Sequence, residues 1–116
     1  MQSDAHAFLP LPPQDLQLLL ALRDGPLHGY AMMREVETTS GGRVRVELGS
    51  LYRMLHRLER DGLIEETESV PDAASPGRER RCYRTTRLGN AVVATELDRL
   101  RSLLDLAGRL RPGEAS

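Results

Sequence analysis

The segment 50–62 constrains the fold most, because a helix is the one conformation that puts its apolar residues on one side and its charged residues on the other. Its apolar residues recur at helical spacing and form an inner stripe: Leu51, Met54, Leu55 and Leu58. Ser50 is a favourable N-cap residue, and Asp61-Gly62-Leu63 is typical of a helix that ends on a left-handed glycine. We therefore predict a helix from Ser50 to about Asp61.

The outer face of this helix carries long side chains that form hydrogen bonds. Its positions repeat at i, i+1, i+4, i+5 and i+8 and so share one side: Tyr52, Arg53, His56, Arg57 and Arg60. A helix that enters the major groove of DNA needs such a face in front of its core stripe, and one good arginine–guanine contact contributes roughly 1–3 kcal/mol of base discrimination. The alternative is a solvated helix face with no ligand. We predict DNA contacts from Ser50, Tyr52, Arg53, His56 and Arg57.

The N-terminal half supplies further elements. A leucine-rich helix begins at Pro13 and ends at Gly25-Pro26, and a second helix spans His28 to Thr38. Residues Arg43 to Leu48 alternate between polar and apolar, which indicates a short, half-buried strand. The apolar residues of positions 1–12 are interrupted by prolines, and we expect a loose N-terminal arm there.

A hairpin and a long helix follow. We predict two strands, Ile64–Val70 and Arg80–Thr85, on either side of a turn-rich tip at residues 71–77. Thr86 can cap a last helix from Arg87 to about Leu110. The predicted fold class is mainly α with a small β-hairpin. It consists of a winged helix-turn-helix over residues 13–86, a C-terminal dimerisation helix over 87–111 and a tail over 112–116.

Positive charge is concentrated in the second half of the predicted hairpin over residues 64–85, which we call the wing, although the whole chain has a net charge of −1. Residues 78–87 hold five arginines against one glutamate, a local net charge of +4. We predict that Arg78 and Arg80, near the tip, contact the DNA backbone or minor groove, where such contacts set the register without reading bases. The alternative is a charged edge strand that resists aggregation.

The last helix carries a heptad seam, whose members step by four, three, four and three residues: Val93, Leu97, Leu100, Leu104 and Ala107. Burial of four large aliphatic side chains contributes at most about 6–12 kcal/mol, and so small a domain covers only part of such a stripe by itself. We predict a homodimer, which would place two recognition helices about 34 Å apart on an inverted repeat. The alternative is a helix folded back on its own domain.

Catalytic and metal-binding classes find no support in the sequence. His6, His28 and His56 are scattered, and Cys82 is the single cysteine, so the chain has neither a CxxC motif nor an internal disulfide. No nucleophile, base and orienting group line up, and we expect no enzyme activity, cofactor or metal. The sequence shows no signal peptide and no apolar run of about 18 residues, so we expect a cytoplasmic protein.

Four segments, taken in chain order, resemble corresponding segments of the PadR family of regulators. They are Leu27-His28-Gly29-Tyr30, Gly49-Ser50-Leu51-Tyr52-Arg53-Met54-Leu55, Leu58-Glu59-Arg60-Asp61-Gly62-Leu63-Ile64, and Arg81-Cys82-Tyr83-Arg84-Thr85-Thr86 with Gly89 behind it. The resemblance covers about residues 15–110. It implies a winged-helix homodimer, usually a repressor, whose C-terminal helix forms the dimer. In many members a small aromatic or drug-like molecule releases the protein from DNA.

The chain departs from the family pattern at some of these positions. Arg53 stands where proline is common and adds a charge to the DNA face, and Ser50 replaces the usual threonine. The last helix has no tryptophan, so a ligand sandwiched between indole rings, as in some relatives, is not available here. We assign no effector-binding residue.

These features together favour a sequence-specific DNA-binding regulator whose partners are double-stranded DNA and a second copy of the chain. The rival hypothesis is a protein-interaction module that uses the winged helix and the leucine seam to hold another protein. The near-neutral net charge is its best support. Salt separates the two hypotheses, because a DNA complex weakens steeply as salt rises and an interface of leucines barely responds.

Overall fold

The structure is a computed structural model that describes residues 2–67, 70–71 and 79–109. In this part of the chain the elements are α1 (Gln2–His6), α2 (Pro13–Ala21), β1 (Leu27–His28), α3 (Gly29–Thr39), α4 (Leu48–Arg60), β2 (Ile64–Glu66), β3 (Val70–Pro71), β4 (Glu79–Arg80), β5 (Cys82–Thr85) and α5 (Arg87–Ala107). This mainly helical architecture with small antiparallel sheets confirms the predicted fold class. The turn-rich tip beyond Pro71, Leu110 and the tail at 112–116 lie outside the described residues.

Apolar side chains from α2, α3, α4 and α5 meet in one core. Its completely buried members include Leu18, Leu19, Met32, Leu51, Leu55, Leu58, Leu63 and Val92. Each fully buried leucine stabilises the folded state by roughly 1.5–3 kcal/mol. The three buried leucines of α4, Leu51, Leu55 and Leu58, therefore fix the rotation of this helix about its own axis.

β5 is the centre of a three-stranded sheet. It pairs antiparallel with β2, where Ile64 is opposite Thr85, and with β1, where Leu27 is opposite Tyr83. β3 and β4 lie between β2 and β5 in the chain and pair with each other. The predicted hairpin is therefore confirmed for the residues that the structure describes.

The strand predicted at Arg43–Leu48 is wrong, because this segment forms no strand and its last residue already belongs to α4. The alternation in the sequence reflects burial instead of strand pairing: Val46 is buried and Val44 packs against the core. The Ser40 hydroxyl accepts a hydrogen bond of 3.0 Å from the Val44 N–H and holds the segment as a loop. The edge of β5 is occupied by β1 instead.

The start of α4 also differs from the prediction. Ser50 lies in the first turn instead of at the N-cap, which is Glu47 and makes no side-chain cap hydrogen bond. Two other caps are formed by side chains. Thr86 accepts a hydrogen bond of 3.0 Å from the Gly89 N–H, as predicted, and His28 Nδ1 accepts one of 3.1 Å from the first turn of α3.

The N-terminal arm is not loose, contrary to the expectation from its prolines. Residues Gln2–His6 form α1, which packs against α5, and both Ala5 and Leu11 are buried. The Leu11 N–H donates a hydrogen bond of 2.8 Å to Glu96 Oε2 on α5. A polar anchor at this buried carboxylate therefore holds the arm against the helix.

Glu96 is only 1% exposed, and the positive charge of Arg99 compensates its negative charge. The Arg99 guanidinium donates two hydrogen bonds to the carboxylate, at 2.5 and 3.1 Å. The hydrogen bonding from Arg99 lowers the pKa of Glu96 against the opposing effect of burial, and the Leu11 N–H lowers it further. The carboxylate is therefore held ionised inside the fold.

Glu96→Gln should destabilise the protein at neutral pH, and the loss should shrink as the pH falls. A carboxyl group whose pKa is lowered by folding stabilises the native state above its unfolded pKa, near 4.5. This stabilisation disappears as the pH falls through the folded pKa. Urea unfolding of wild type and variant over a pH series from neutral to acidic measures the difference.

Asp98→Asn is the matched control on the same helix, because Asp98 and its partner Arg101 are both solvent-exposed. Exposed pairs contribute little to stability, so this substitution should have a small effect. A Glu96→Gln effect of the same size at every pH would contradict the role assigned to the buried carboxylate.

Candidate nucleic-acid interface

The front of α4 is exposed along its N-terminal half. Leu51, Leu55 and Leu58 of α4 turn inward, so the opposite side of the helix faces solvent. Tyr52 is 53% exposed, and Arg53 and His56 are exposed as well. Ser50 is half-buried at the start of this surface. We call these four residues, all predicted from the sequence to contact DNA, the α4 face.

Arg53 occupies the middle of the α4 face. Its Nη2 donates a hydrogen bond of 3.1 Å to Ser50 Oγ, almost one turn earlier. This bond engages one of the five N–H donors of a guanidinium, and the side chain remains exposed. Arg53 can therefore present paired donors to a base edge or to a phosphate.

Arg57, in contrast, is held by a carboxylate of the same chain. Its Nη1 and Nη2 donate hydrogen bonds of 2.8 and 2.9 Å to the two carboxylate oxygens of Asp15, in the first turn of α2. The Asp15 side chain is only 4% exposed, and the hydrogen bonding to Asp15 raises the pKa of Arg57. Two of the five N–H donors of Arg57 are thus used inside the chain, while its side chain is 39% exposed, and its DNA contact stays a prediction.

The position of Arg57 on the helix explains this difference. Arg57 precedes the buried Leu58 and lies at the flank of the α4 face, within reach of α2. Loss of the guanidinium would leave a buried carboxylate without its partner, which costs far more than the loss of an exposed pair. We therefore assign Arg57 to a structural link between α2 and α4.

An open cleft of about 490 Å³ lies beside the start of the α4 face. The starts of α3 and α4 and the strand β5 meet around it, and its lining is His28, Gly29, Tyr30, Leu48, Tyr52, Arg81 and Tyr83. Tyr83 is buried, and burial raises the pKa of its phenol. Tyr30, however, is 46% exposed.

Tyr30 and Arg81 are the interface candidates that reasoning from the sequence missed. Tyr30 reads as an apolar ring at the start of a helix, and Arg81 is one of five arginines in its segment. The pairing of β1 with β5 brings both to the cleft that Tyr52 also lines. The guanidinium carbon of Arg34 lies 5.9 Å from the centre of the Tyr30 ring, a cation–π distance.

The wing residues predicted to contact phosphates are only partly described. Arg80 belongs to β4, and Arg78 lies outside the described residues. Their phosphate contacts stay predictions. Closer to the domain, Arg84 pairs with Glu65 across the strands at 2.8 Å. This contact is exposed and stabilises the fold little.

The heptad seam of α5 divides into a covered part and an exposed part. Val93 packs against the core, and Leu97 and Leu100 are half-buried. An apolar surface in the last turns of a helix is a candidate interaction surface. We call the exposed end of the seam and its neighbours the α5 tip: Leu103, Leu104, Leu106 and Ala107.

Other kinds of site find no support in the part of the chain that the structure describes. Within 2–67, 70–71 and 79–109, no three histidine, cysteine, aspartate or glutamate side chains are grouped so that they could hold a metal ion. Over the same ranges, no helix combines the length and the apolar character needed to cross a membrane. We therefore centre the candidate site on the α4 face.

Comparison with protein families gives a match across most of the fold. The profile of the Transcriptional regulator PadR-like family matches residues 18–95. The chain is also 40% identical over 100 residues to a transcriptional regulator of Mycobacterium tuberculosis, and the alignment covers 86% of this chain and 84% of the relative. The family match runs from within α2 to within α5 and includes α4 and the wing.

Solved structures share the same architecture. A PadR-like transcription factor of Bacteroides fragilis superposes with a TM-score of 0.68 at 21% identity, over 85% of this chain and 90% of that chain. PadR of Bacillus subtilis, solved in complex with operator DNA, superposes with a TM-score of 0.63 at 21% identity, over 74% of this chain and 48% of that chain. These similarities show a common fold.

Arg57→Ala should destabilise the protein by roughly 1–3 kcal/mol, because the Asp15 carboxylate stays buried without its partner. The expected loss is below that of a fully buried pair, since the Arg57 side chain is 39% exposed. Urea unfolding measures it. Asp15→Ala and the double variant complete a cycle in which the coupling energy should be about 0.5–3 kcal/mol.

Arg53→Ala is the control on the same helix face, since it removes the same charge from an exposed site. It should change the free energy of unfolding by no more than about 0.5 kcal/mol. Equally small losses for Arg53→Ala and Arg57→Ala would show that Arg57 is not a structural link.

Proposed function

The chain belongs to the PadR-like family of transcriptional regulators, and we propose that it is a homodimeric repressor that binds an inverted-repeat operator in double-stranded DNA through the α4 face. This action takes place on DNA in the cytoplasm and involves neither a catalytic step nor a cofactor. The fold of PadR from Bacillus subtilis, solved with operator DNA, supports the proposal by analogy.

The observation that carries the proposal is the division of α4 into a buried leucine stripe and an exposed polar face. The helix has 13 residues, which gives a length of about 20 Å, and the major groove of DNA admits an α-helix. Arg53 would read guanine through paired N–H donors, with Tyr52 and His56 beside it. Ser50 lies in the first turn, where the backbone N–H groups of a helix attract phosphate.

Contacts to the DNA backbone would flank the α4 face. On the wing, Arg78 and Arg80 would bind phosphates or the minor groove and hold the register. At the cleft, Tyr30 and Arg81 would extend the same surface with a phenol and a guanidinium. Arg57 would lie at the flank of this interface, with two of its five N–H donors already bonded to Asp15.

The α5 tip supports the pairing of two copies of the chain. Its leucines continue the seam of Leu97 and Leu100, which the domain covers only in part. Two α5 helices packed along this seam would remove the exposed leucines from water, and apolar burial of this kind drives association. The twofold symmetry of such a dimer matches an inverted repeat.

Release from DNA by a small aromatic or drug-like effector completes the proposal. Its support is the resemblance to regulators that respond in this way. Such a molecule acts only if it binds the DNA-competent and the DNA-incompetent states with different affinities. We assign no residue to effector binding.

A protein-interaction module is the second candidate function. The net charge of −1 and the exposed leucines of the α5 tip favour it. The salt dependence of complex formation separates the candidates, because a DNA complex should show a log–log slope near −0.9 for each phosphate neutralised. A complex held by leucines should show almost no slope.

Arg53→Ala should weaken binding to a specific operator by roughly 1–3 kcal/mol, about 5- to 150-fold, because one base-reading contact is lost. Fluorescence anisotropy with DNA from upstream of the protein's own gene measures the affinity. The same titration with an unrelated fragment gives the specificity ratio, which should fall as well.

Arg23→Ala is the charge-matched control, because it removes an exposed arginine just beyond α2 and leaves the α4 face intact. It should leave the specificity ratio unchanged. Wild-type affinity together with a wild-type ratio in the Arg53→Ala protein would count against the assignment of α4.

Leu104→Asp should convert the protein from dimer to monomer, because it puts a charge into the proposed seam at a position that is 71% exposed in the single chain. Sedimentation velocity measures the mass. Arg101→Ala, an exposed change on the same helix, should leave the dimer intact. A wild-type protein that is monomeric, or a Leu104→Asp protein that is dimeric, would contradict pairing through the α5 tip.

A further inference from the structure

The hydroxyl of Thr86 joins the end of α4 to the start of α5. Thr86 Oγ1 donates a hydrogen bond of 2.5 Å to the carbonyl of Gly62, which directly follows the C-cap of α4. The same oxygen accepts a hydrogen bond of 3.0 Å from the Gly89 N–H and so caps α5. One side chain therefore bonds to both helices.

The backbone reinforces this connection. The Leu63 N–H donates a hydrogen bond of 2.9 Å to the carbonyl of Leu58 in the last turn of α4, and the Leu63 carbonyl accepts one of 3.1 Å from the Thr86 N–H. Leu63 is buried. The last turn of α4 and the cap of α5 thus belong to one continuous hydrogen-bonded unit.

Gly89 lets the backbone of α5 lie directly against the backbone of Leu63, because glycine has no side chain. A Cβ atom at this position would lie 2.0 Å from the carbonyl oxygen of Leu63, so any larger residue would have to push α5 away. Val92, one turn further on, is completely buried against the core. We call Gly62, Leu63, Thr86 and Gly89 the α4–α5 joint.

A small rotation at the joint would have a large effect at the far end of α5. The 15 residue-to-residue steps from Gly89 to Leu104 span about 22 Å of helix. A tilt of about 10° over this length moves the helix end by about 4 Å, which is comparable to the rise of about 3.4 Å per base pair. The orientation of α5 relative to α4 therefore matters on the scale of one step of DNA.

We propose that the α4–α5 joint sets the half-site spacing that the dimer accepts, and that Thr86 is a positioning residue for this specificity. The proposal rests on the proposed function, in which α5 pairs two copies and α4 reads DNA. Thr86 touches no base in this account. It acts by fixing the angle at which the paired α5 helices hold the two α4 helices.

Three substitutions of Thr86 separate its roles. Thr86→Ser keeps both hydrogen bonds of the hydroxyl. Thr86→Asp keeps an acceptor that caps α5 but loses the donor to the Gly62 carbonyl. Thr86→Val has nearly the same shape and loses both bonds. Circular dichroism and gel filtration confirm that each protein is folded and dimeric before DNA is added.

The experiment measures the affinity of each protein for a series of inverted repeats that differ only in the distance between the half-site centres. Wild type and Thr86→Ser should prefer the same spacing and lose at least about tenfold when it changes by two base pairs, a discrimination within the range of one site mismatch. Thr86→Asp and Thr86→Val should reduce this ratio to less than about threefold or move the preferred spacing. A general loss of folded protein would lower all affinities together and leave the ratio unchanged.

Unchanged spacing ratios in a folded, dimeric Thr86→Asp protein, or in a folded, dimeric Thr86→Val protein if the aspartate variant does not fold, would overturn the role of the joint. The same conclusion holds if the wild type binds all spacings equally. A wild type that binds no DNA, or binds it as a monomer, would instead overturn the proposed function and the joint together. The failure of the joint alone is thus distinguishable from the failure of the function.

Discussion

The burial of Leu51, Leu55 and Leu58 is the interaction on which the rest of the structure depends. These leucines hold α4 against the core, and their burial determines which side of the helix faces solvent. The ion pair between Arg57 and Asp15 fixes the same rotation from the flank. Because apolar packing and a half-buried ion pair agree on one orientation, the rotation of α4 about its axis is fixed, and the proposed entry of the α4 face into a DNA groove would require no change in that rotation.

The remaining elements hold the α4 face in place and line the cleft beside it. β1 and β2 both pair with β5. The pairing of β1 with β5 brings Tyr30 and Arg81 to the cleft beside α4. The joint at Thr86 links the end of α4 to the start of α5. The N-terminal arm, bonded to Glu96, packs against α5. The molecule therefore combines a surface suited to DNA with a helix suited to pairing, in a fixed relative orientation.

The sequence predicted features that depend on neighbouring residues and missed those that depend on distant ones. The stripe of α4, the glycine end at Gly62 and the cap at Thr86 follow from local spacing, and the structure confirms them. The partner of Arg57 lies 42 positions away in α2, and no pattern within either helix reveals it. The alternation at Arg43–Leu48 was misleading because burial of Val44 and Val46 produces the same signal as a strand. Of the proposed DNA contacts, the exposure of Tyr52, Arg53 and His56 could be predicted, but not the ion pair that Arg57 forms with Asp15.

The most direct measurement of the central claim is a base-analogue cycle at the α4 face. Single guanines of the operator are replaced by 7-deazaguanine, which lacks the N7 acceptor, and each DNA is titrated with wild type and with the Arg53→Ala protein. The account predicts one position in each half-site where the analogue weakens wild-type binding by roughly 1–3 kcal/mol and does not weaken the variant further. Additive losses at every guanine would contradict the claim that α4 presents Arg53 to the bases.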